Sequence, residues 1–172
     1  MWVGSAAPSS RVFFALSIGL KGRPLFRGLS ALSLDGKGRM VMPTRYRQKL
    51  MELSGGQLVA TMEREPCVLI YPLPAWEQFE RELVGRPNMD EYTRKMQRQL
   101  MAHASDIEMD ANGRVLLPPI LREYAKLDKS VMLIGQGRRL EIWDEKAWAA
   151  ERESWLQQDP SKMPEELRSL SL

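Results

Sequence analysis

At 172 residues, 44% hydrophobic and 27% charged, the chain is long enough to bury a core and lacks the polar bias of a disordered segment. A single cysteine, Cys67, and a single histidine, His103, exclude an internal disulfide and a cysteine–histidine zinc site. The net charge of +3 is uneven: residues 1–104 hold fifteen basic against nine acidic side chains and residues 105–172 hold ten against thirteen, so a polyanionic partner would dock on the first half.

In chain order, Val12 to Leu20 (VFFALSIGL) is an apolar run too short to span a membrane. The Lys21-Gly22-Arg23-Pro24 that follows offers no small-residue cleavage site. Residues 1–25 therefore read as a flexible extension ahead of a domain that starts near Phe26. Alternation predicts a strand over 26–34, turn chemistry over 35–38 and a short strand over 39–42. Pro43 suits the first turn of a helix over 44–53, which Gly55-Gly56 ends. Residues 57–62 and 67–71 form a hairpin around the polar turn Glu63-Arg64-Glu65-Pro66, with Cys67 a small core residue. Helices follow over 74–84 and 89–102. On the second, Met89, Tyr92, Met96, Leu100 and His103 make one stripe, with His103 a partly buried or capping residue. The second half repeats the hairpin over 131–134 and 140–143, with its turn at 135–137. A helix over 145–157 and a short amphipathic helix over 163–172 complete the chain.

The chain says one thing twice. LDGKGRMVMP at 34–43 returns as MDANGRVLLP at 109–118. Asp35, Gly38, Arg39, Pro43 and Arg47 fall on Asp110, Gly113, Arg114, Pro118 and Arg122. Beyond a short deletion, Val68-x-Ile70-Tyr71 and Trp76 lie opposite Leu140-x-Ile142-Trp143 and Trp148. Each half, 26–104 and 105–172, reads as strand, strand, helix, hairpin. A unit of roughly 50 residues is marginal alone, so the two copies are expected to pack in pseudo-twofold fashion.

What the copies share belongs to folding: Asp35, Gly38, Asp110, Gly113 and Arg114 read as structural loop residues, the carboxylates ordering backbone and guanidinium. What differs is the better guide to function, and Gly36-Lys37 becomes Ala111-Asn112. Residues 27–49 carry Arg27, Lys37, Arg39, Arg45, Arg47 and Lys49 against Asp35 alone. A basic loop and first helix can contact phosphates or guanine edges, the alternative being a solvated face. Gly36-Lys37-Gly38 lacks the spacing of a phosphate-binding loop. No nucleophile, base and acid can be assembled around His103, and Asp35 and Asp110 each have a neighbouring arginine. No enzyme, cofactor, metal or small-molecule substrate is expected.

Phe26-Arg27-Gly28, Leu34-Asp35-Gly36-Lys37-Gly38-Arg39, Val41-x-Pro43-x-Arg45-Tyr46-Arg47, Leu69-x-Tyr71-Pro72-x-Pro74-x-Trp76 and Asp110-Ala111-Asn112-Gly113-Arg114 together resemble the MraZ family. The resemblance implies a mainly β fold with added α-helices: tandem AbrB-like swapped-hairpin units in a double-split β-barrel, assembled as a ring homo-oligomer, octamer or dodecamer. It also implies a cytoplasmic, nucleoid-associated, sequence-specific transcriptional regulator. Such a protein binds direct repeats in double-stranded DNA upstream of the division and cell-wall gene cluster, and represses targets that include its own operon. The reader carried over is the first loop, with Lys37 and Arg39 as DNA-binding residues and Arg45 and Arg47 as lesser ones; whether the second loop touches DNA stays open. The rival is an oligomeric scaffold that binds proteins through the Met- and Trp-bearing helices. RNA binding is disfavoured because the basic loop lacks aromatic stacking residues.

Overall fold

Repetition of a unit too small to close its own core dictates an interleaved architecture. A computed structural model describes residues 26–87, 90–162, 164 and 167. The extension over 1–25, Met89, and almost all of the helix expected over 163–172 lie outside the described residues. In order, the elements are β1 (Phe26–Ser33), β2 (Arg39–Val41), α1 (Thr44–Ser54), β3 (Gln57–Met62), β4 (Cys67–Pro72), α2 (Leu73–Val84), α3 (Glu91–Ala102), β5 (Ser105–Glu108), β6 (Arg114–Leu116), α4 (Pro119–Tyr124), β7 (Ser130–Gly137), β8 (Arg139–Asp144) and α5 (Glu145–Leu156), then a 3-10 turn (Pro160–Lys162).

Six strands form one antiparallel sheet in the order β1-β7-β8-β4-β3-β5, and β2 and β6 form a separate antiparallel ribbon. The first strand of each copy pairs with the hairpin of the other: β1 with β7, and β5 with β3. This is the swapped-hairpin arrangement. Where the copies meet, repeat-equivalent residues face each other, Met40 opposite Val115 in the ribbon and Leu69 opposite Glu141 in the sheet. The pseudo-twofold axis therefore passes through both pairs.

Both faces of the central strands are covered, so β3 and β4 are buried almost throughout rather than alternately. Leu58, Ala60, Val68, Ile70, Leu133, Leu140 and Ile142 share one core with Met40 and Val115 of the ribbon, Tyr46 and Leu50 of α1 and Leu121 of α4. The opposite face, with Val59, Cys67, Leu69, Tyr71 and Trp143, packs on Trp76 and Phe79 of α2, Met101 of α3 and Trp148 of α5.

Three departures from the sequence reading have local causes. The turn expected at 135–137 is instead strand, because β7 runs on opposite β1 through Gly135 and Gln136. A Cβ at Gly135 would collide with the Arg27 backbone, so this glycine serves close strand approach. The hairpin turns at Gly137-Arg138, with Gly137 left-handed at φ +69°. Pro43 sits at the N-cap, one place before the helix. Helix α3 starts at Glu91, where the Asp90 carboxylate accepts the Thr93 N–H at 2.7 Å. Among the described residues of its expected stripe only Leu100 is buried, while Tyr92 is 47% exposed.

One buried polar cluster gathers Glu63 of the polar turn with Tyr71, Arg139 and Glu141 of the strands. Arg139 Nη2 donates to Glu63 Oε2 at 3.0 Å and to Glu141 Oε1 at 2.8 Å, and Nη1 donates to the Tyr71 hydroxyl at 3.3 Å. Trp143 Nε1 donates to the other Glu141 oxygen at 3.2 Å. Burial pushes the Glu63 carboxyl above its ordinary range, and Arg139 offsets part of that shift. Removing the shared cation leaves two carboxylates with little solvent. Arg139→Met is therefore expected to lower the unfolding free energy by about 3–5 kcal/mol, read as a fall in the urea midpoint at unchanged slope. A change under about 0.5 kcal/mol would mean that the cluster is solvated.

Candidate nucleic-acid interface

The two repeated loops close by one hydrogen-bond pattern. Asp35 N donates to the Arg39 carbonyl and Gly38 N to the Asp35 carbonyl, both at 2.9 Å; Asp110 N to Arg114 and Gly113 N to Asp110 repeat the same two distances. Asp35 Oδ1 accepts the Lys37 and Arg39 N–H groups at 2.9 Å, and Asp110 Oδ1 accepts those of Asn112 and Arg114 at 2.8 Å. Gly38 and Gly113 take φ +82° and +75°, where an L side chain is strained.

Each loop is also locked by the other copy. Leu117 N donates to the Gly38 carbonyl at 3.1 Å and Met42 N to the Gly113 carbonyl at 2.7 Å. Arg47 Nε donates to the Met42 carbonyl at 2.7 Å, and Arg122 Nε to that of Leu117 at 3.2 Å. In these positions the Arg122 guanidinium lies where a Cβ on Gly38 would stand, and Arg47 does the same to Gly113. Position and partners thus make Arg47 a bracing residue whose twin is Arg122.

Arg45 is braced as well. Its Nη2 donates to the Leu29 carbonyl at 2.9 Å and the Ser30 hydroxyl at 2.6 Å, and its guanidinium stacks 4.7 Å from the Tyr46 ring centre. The Tyr46 hydroxyl donates to the Arg27 carbonyl at 2.8 Å. Together they occupy acceptors along β1, an outer strand of the sheet, and blunt it against pairing with another chain. Lys49 Nζ lies 5.0 Å from the Phe26 ring centre. Of the four residues singled out as DNA-binding, Lys37 and Arg39 are together in the first loop, while Arg45 and Arg47 stand behind it on α1.

The loops differ at their arginines. Arg39 Nε donates to Asp35 Oδ2 at 2.8 Å, which leaves its terminal nitrogens without a partner among the described residues. Hydrogen bonds from the Arg39 backbone and then its side chain lower the Asp35 pKa from 3.8 to about 2. In the second loop Asp110 takes the backbone N–H groups of Asn112 and Arg114, and among the described residues the Arg114 guanidinium has no hydrogen bond or ion pair. Both arginines, with Ser33, Asp35 and Val41, line an open depression of about 290 Å³ beside the ribbon. Sequence reasoning gave Arg114 a structural loop role and left its contact with DNA open; the ribbon register puts Arg114 directly across from Val41.

Other candidates resolve into structure. His103 is the C-cap of α3, with Nδ1 2.9 Å from the Gln99 carbonyl. Burial drives the Cys67 thiol far above its ordinary pKa and makes it a poor nucleophile. Among the described residues no cluster of His, Cys, Asp and Glu could hold a metal ion, and no helix is long and apolar enough to cross a membrane.

A family model described as "MraZ protein, putative antitoxin-like" matches residues 25–99 and again 100–169, so the repeat is matched copy by copy. A protein named transcriptional regulator MraZ from Thioalkalivibrio sulfidiphilus (strain HL-EbGR7) is 51% identical over 150 residues, 86% of this chain and the whole of that protein. Proteins of the same name from Pseudomonas aeruginosa (strain PAO1) and Halorhodospira halophila (strain DSM 244 / SL1) are 50% identical over 151 residues and 45% over 152, again 86% of this chain and all of theirs.

Two loop glycines, one open and one locked, separate loop strain from loop chemistry. Gly36 has a φ that any residue adopts and no atom within 4 Å of where a methyl would stand, so Gly36→Ala should change stability by no more than about 0.5 kcal/mol. Gly113→Ala should cost at least about 1–3 kcal/mol, read by thermal unfolding. Because the Asp35 pKa is depressed, its contribution is fully present above 3.8 and is lost as pH falls toward about 2. Carboxyl NMR should find Asp35 ionised at pH 3, with Arg39→Ala moving its midpoint back up.

Proposed function

The chain belongs to the MraZ family, and from that premise we propose that it is a DNA-binding transcriptional regulator whose first loop is the principal reader. One observation carries the reading: Asp35 holds the Arg39 guanidinium by Nε alone, beside exposed Lys37, in a loop locked from behind by the second copy. A guanidinium held this way spends little entropy on binding, and its terminal nitrogens form the fork that recognises guanine O6 and N7. Lys37 supplies a flexible phosphate contact. Arg45 and Arg47, on α1 behind the loop, add positive field, Arg45 with fewer donors to spare.

One loop touches few phosphates and few bases, so a single engagement is weak and salt sensitive. A ring of subunits presenting several loops to several direct repeats turns weak contacts into avidity, provided loop and repeat spacing agree. On this reading the protein is a cytoplasmic, nucleoid-associated homo-oligomer, octamer or dodecamer. It occupies tandem repeats upstream of the division and cell-wall cluster, and it represses that cluster and its own gene without catalysing a reaction.

Fluorescence anisotropy with short duplexes tiled across the DNA upstream of its gene, in a salt series, tests this. Wild type should prefer a few tiles over a scrambled duplex. Lys37→Ala should weaken all tiles alike and reduce the logarithmic salt slope by about one. Arg39→Ala should abolish the preference with sedimentation unchanged. Uniform binding to every tile by wild type, with function lost instead on changing Tyr92 and Met96 of α3, would establish the scaffold.

A further inference from the structure

The two hairpins are repeat-equivalent, so the first can pair with the second of its own chain or with the first of another chain. On the ribbon side of the sheet nothing decides between them: Val68 and Ile70 of one copy match Leu140 and Ile142 of the other, all buried in one core. The opposite face does discriminate. The register that sets Leu69 across from Glu141 makes those two residues twins, and with them Cys67 and Arg139. Because Ala60 pairs Ile70 as Leu133 pairs Ile142, Glu63 is the twin of Gln136. Every charged member of the buried cluster thus has an uncharged twin. Glu63 comes from the first copy, Arg139 and Glu141 from the second, and their side chains are 10–19% exposed.

We infer that the cluster of Glu63, Arg139 and Glu141 is a pairing-specificity element: it makes the first hairpin accept the second and reject a copy of itself, so that the interleaved fold closes within one chain instead of exchanging strands between chains. Each wrong pairing leaves part of the cluster unmatched. Two first hairpins together would bury two Glu63 carboxylates without the Arg139 guanidinium that each needs at 3.0 Å. Two second hairpins would set Glu141 directly opposite Glu141 at the axis. There Arg139 would lose the Tyr71 hydroxyl and Glu63, and would keep only the carboxylate two residues along its own strand. A buried charge that loses its partner is strongly destabilising, and like charges directly opposed across a sheet repel. Only the pairing of first with second hairpin satisfies every member. Buried ion pairs add little stability over apolar replacements, but they penalise the wrong partner. The link through α2 and α3 favours the chain's own copy while other chains are dilute; once they are concentrated, the cluster decides.

The test compares two full-length proteins with one reporter, Cys67→Ala plus Leu69→Cys, which leaves a single thiol at the axis. In own-chain pairing that thiol is buried against position 141, where no second thiol reaches it. In hairpin exchange it faces its counterpart in the other chain at a separation that a disulfide spans. The second protein adds Glu63→Gln, Arg139→Met and Glu141→Leu, which remove the charges together and should leave it folded, as circular dichroism checks. Both proteins are unfolded in urea, refolded in a glutathione redox buffer over a range of protein concentrations, quenched by alkylation and run on a non-reducing gel. Oxidation in urea, where the thiol is exposed, sets the level of full reaction. The reporter with its cluster intact should stay monomeric on the gel, and the protein without the cluster should give at least about tenfold more covalent dimer, rising with concentration. Should the triple replacement fail to fold, Glu63→Gln alone, which keeps the pair of Arg139 and Glu141, takes its place under the same criterion. Equal dimer in the two proteins at every concentration, whether none or much, would overturn the inference, because the link between copies and the apolar core would then choose the partner without the cluster.

Discussion

Two glycines in the left-handed region, each lying beneath an arginine of the opposite copy, are the constraint on which the rest depends. Gly38 sits under Arg122 and Gly113 under Arg47, and each glycine carbonyl accepts an N–H from across the axis. Neither loop can take its shape without the other half of the chain. The strand exchange makes the same demand on a larger scale, since β1 completes its ladder on β7 and β5 on β3. A unit that would be marginal alone thereby shares one continuous core with its twin. Because the loop backbones are fixed from behind, the side chains on their outer surface are free to diverge.

On the proposed reading, that divergence is where function enters. The aspartate, the glycine and the bracing arginine recur in both copies, and the structure gives each pair the same work. Lys37 has no cationic counterpart, Arg45 is replaced by Ile120, and only Arg39 is tied to its aspartate. One loop has become a pre-organised cationic element, while the other keeps the shape with a freer arginine. The curated relatives named transcriptional regulators share about half their residues with this chain over their whole length, and the family model fits both copies.

Much of the fold was legible because the repeat supplied its own check. The strand, turn, helix and hairpin of each copy follow from apolar runs and glycine placement, with most boundaries within a residue or two of the structure. Gly135 misled because a glycine kept for close strand approach looks the same in sequence as one kept for a turn. The Arg139 cluster was hidden because Glu63, Tyr71 and Glu141 converge only when β4 and β8 pair across the axis. At the proposed site, Lys37 and Arg39 stand out by charge and by family pattern. Arg47 was read among the DNA contacts, and the structure bonds its Nε to the Met42 carbonyl as it bonds that of its counterpart Arg122 to the Leu117 carbonyl. The nearness of Arg114 to the first loop was invisible, because register between β2 and β6 is a tertiary fact.

Hydrogen exchange on the full chain, with and without duplex DNA from upstream of its gene, asks most directly which surface meets the nucleic acid. If the first loop is the contact, DNA should slow exchange at 36–41 while α2, α3 and α5 exchange as in the free protein. Protection confined to α3 and α5, with the loop amides unaffected, would contradict the assignment and turn attention to the helical face.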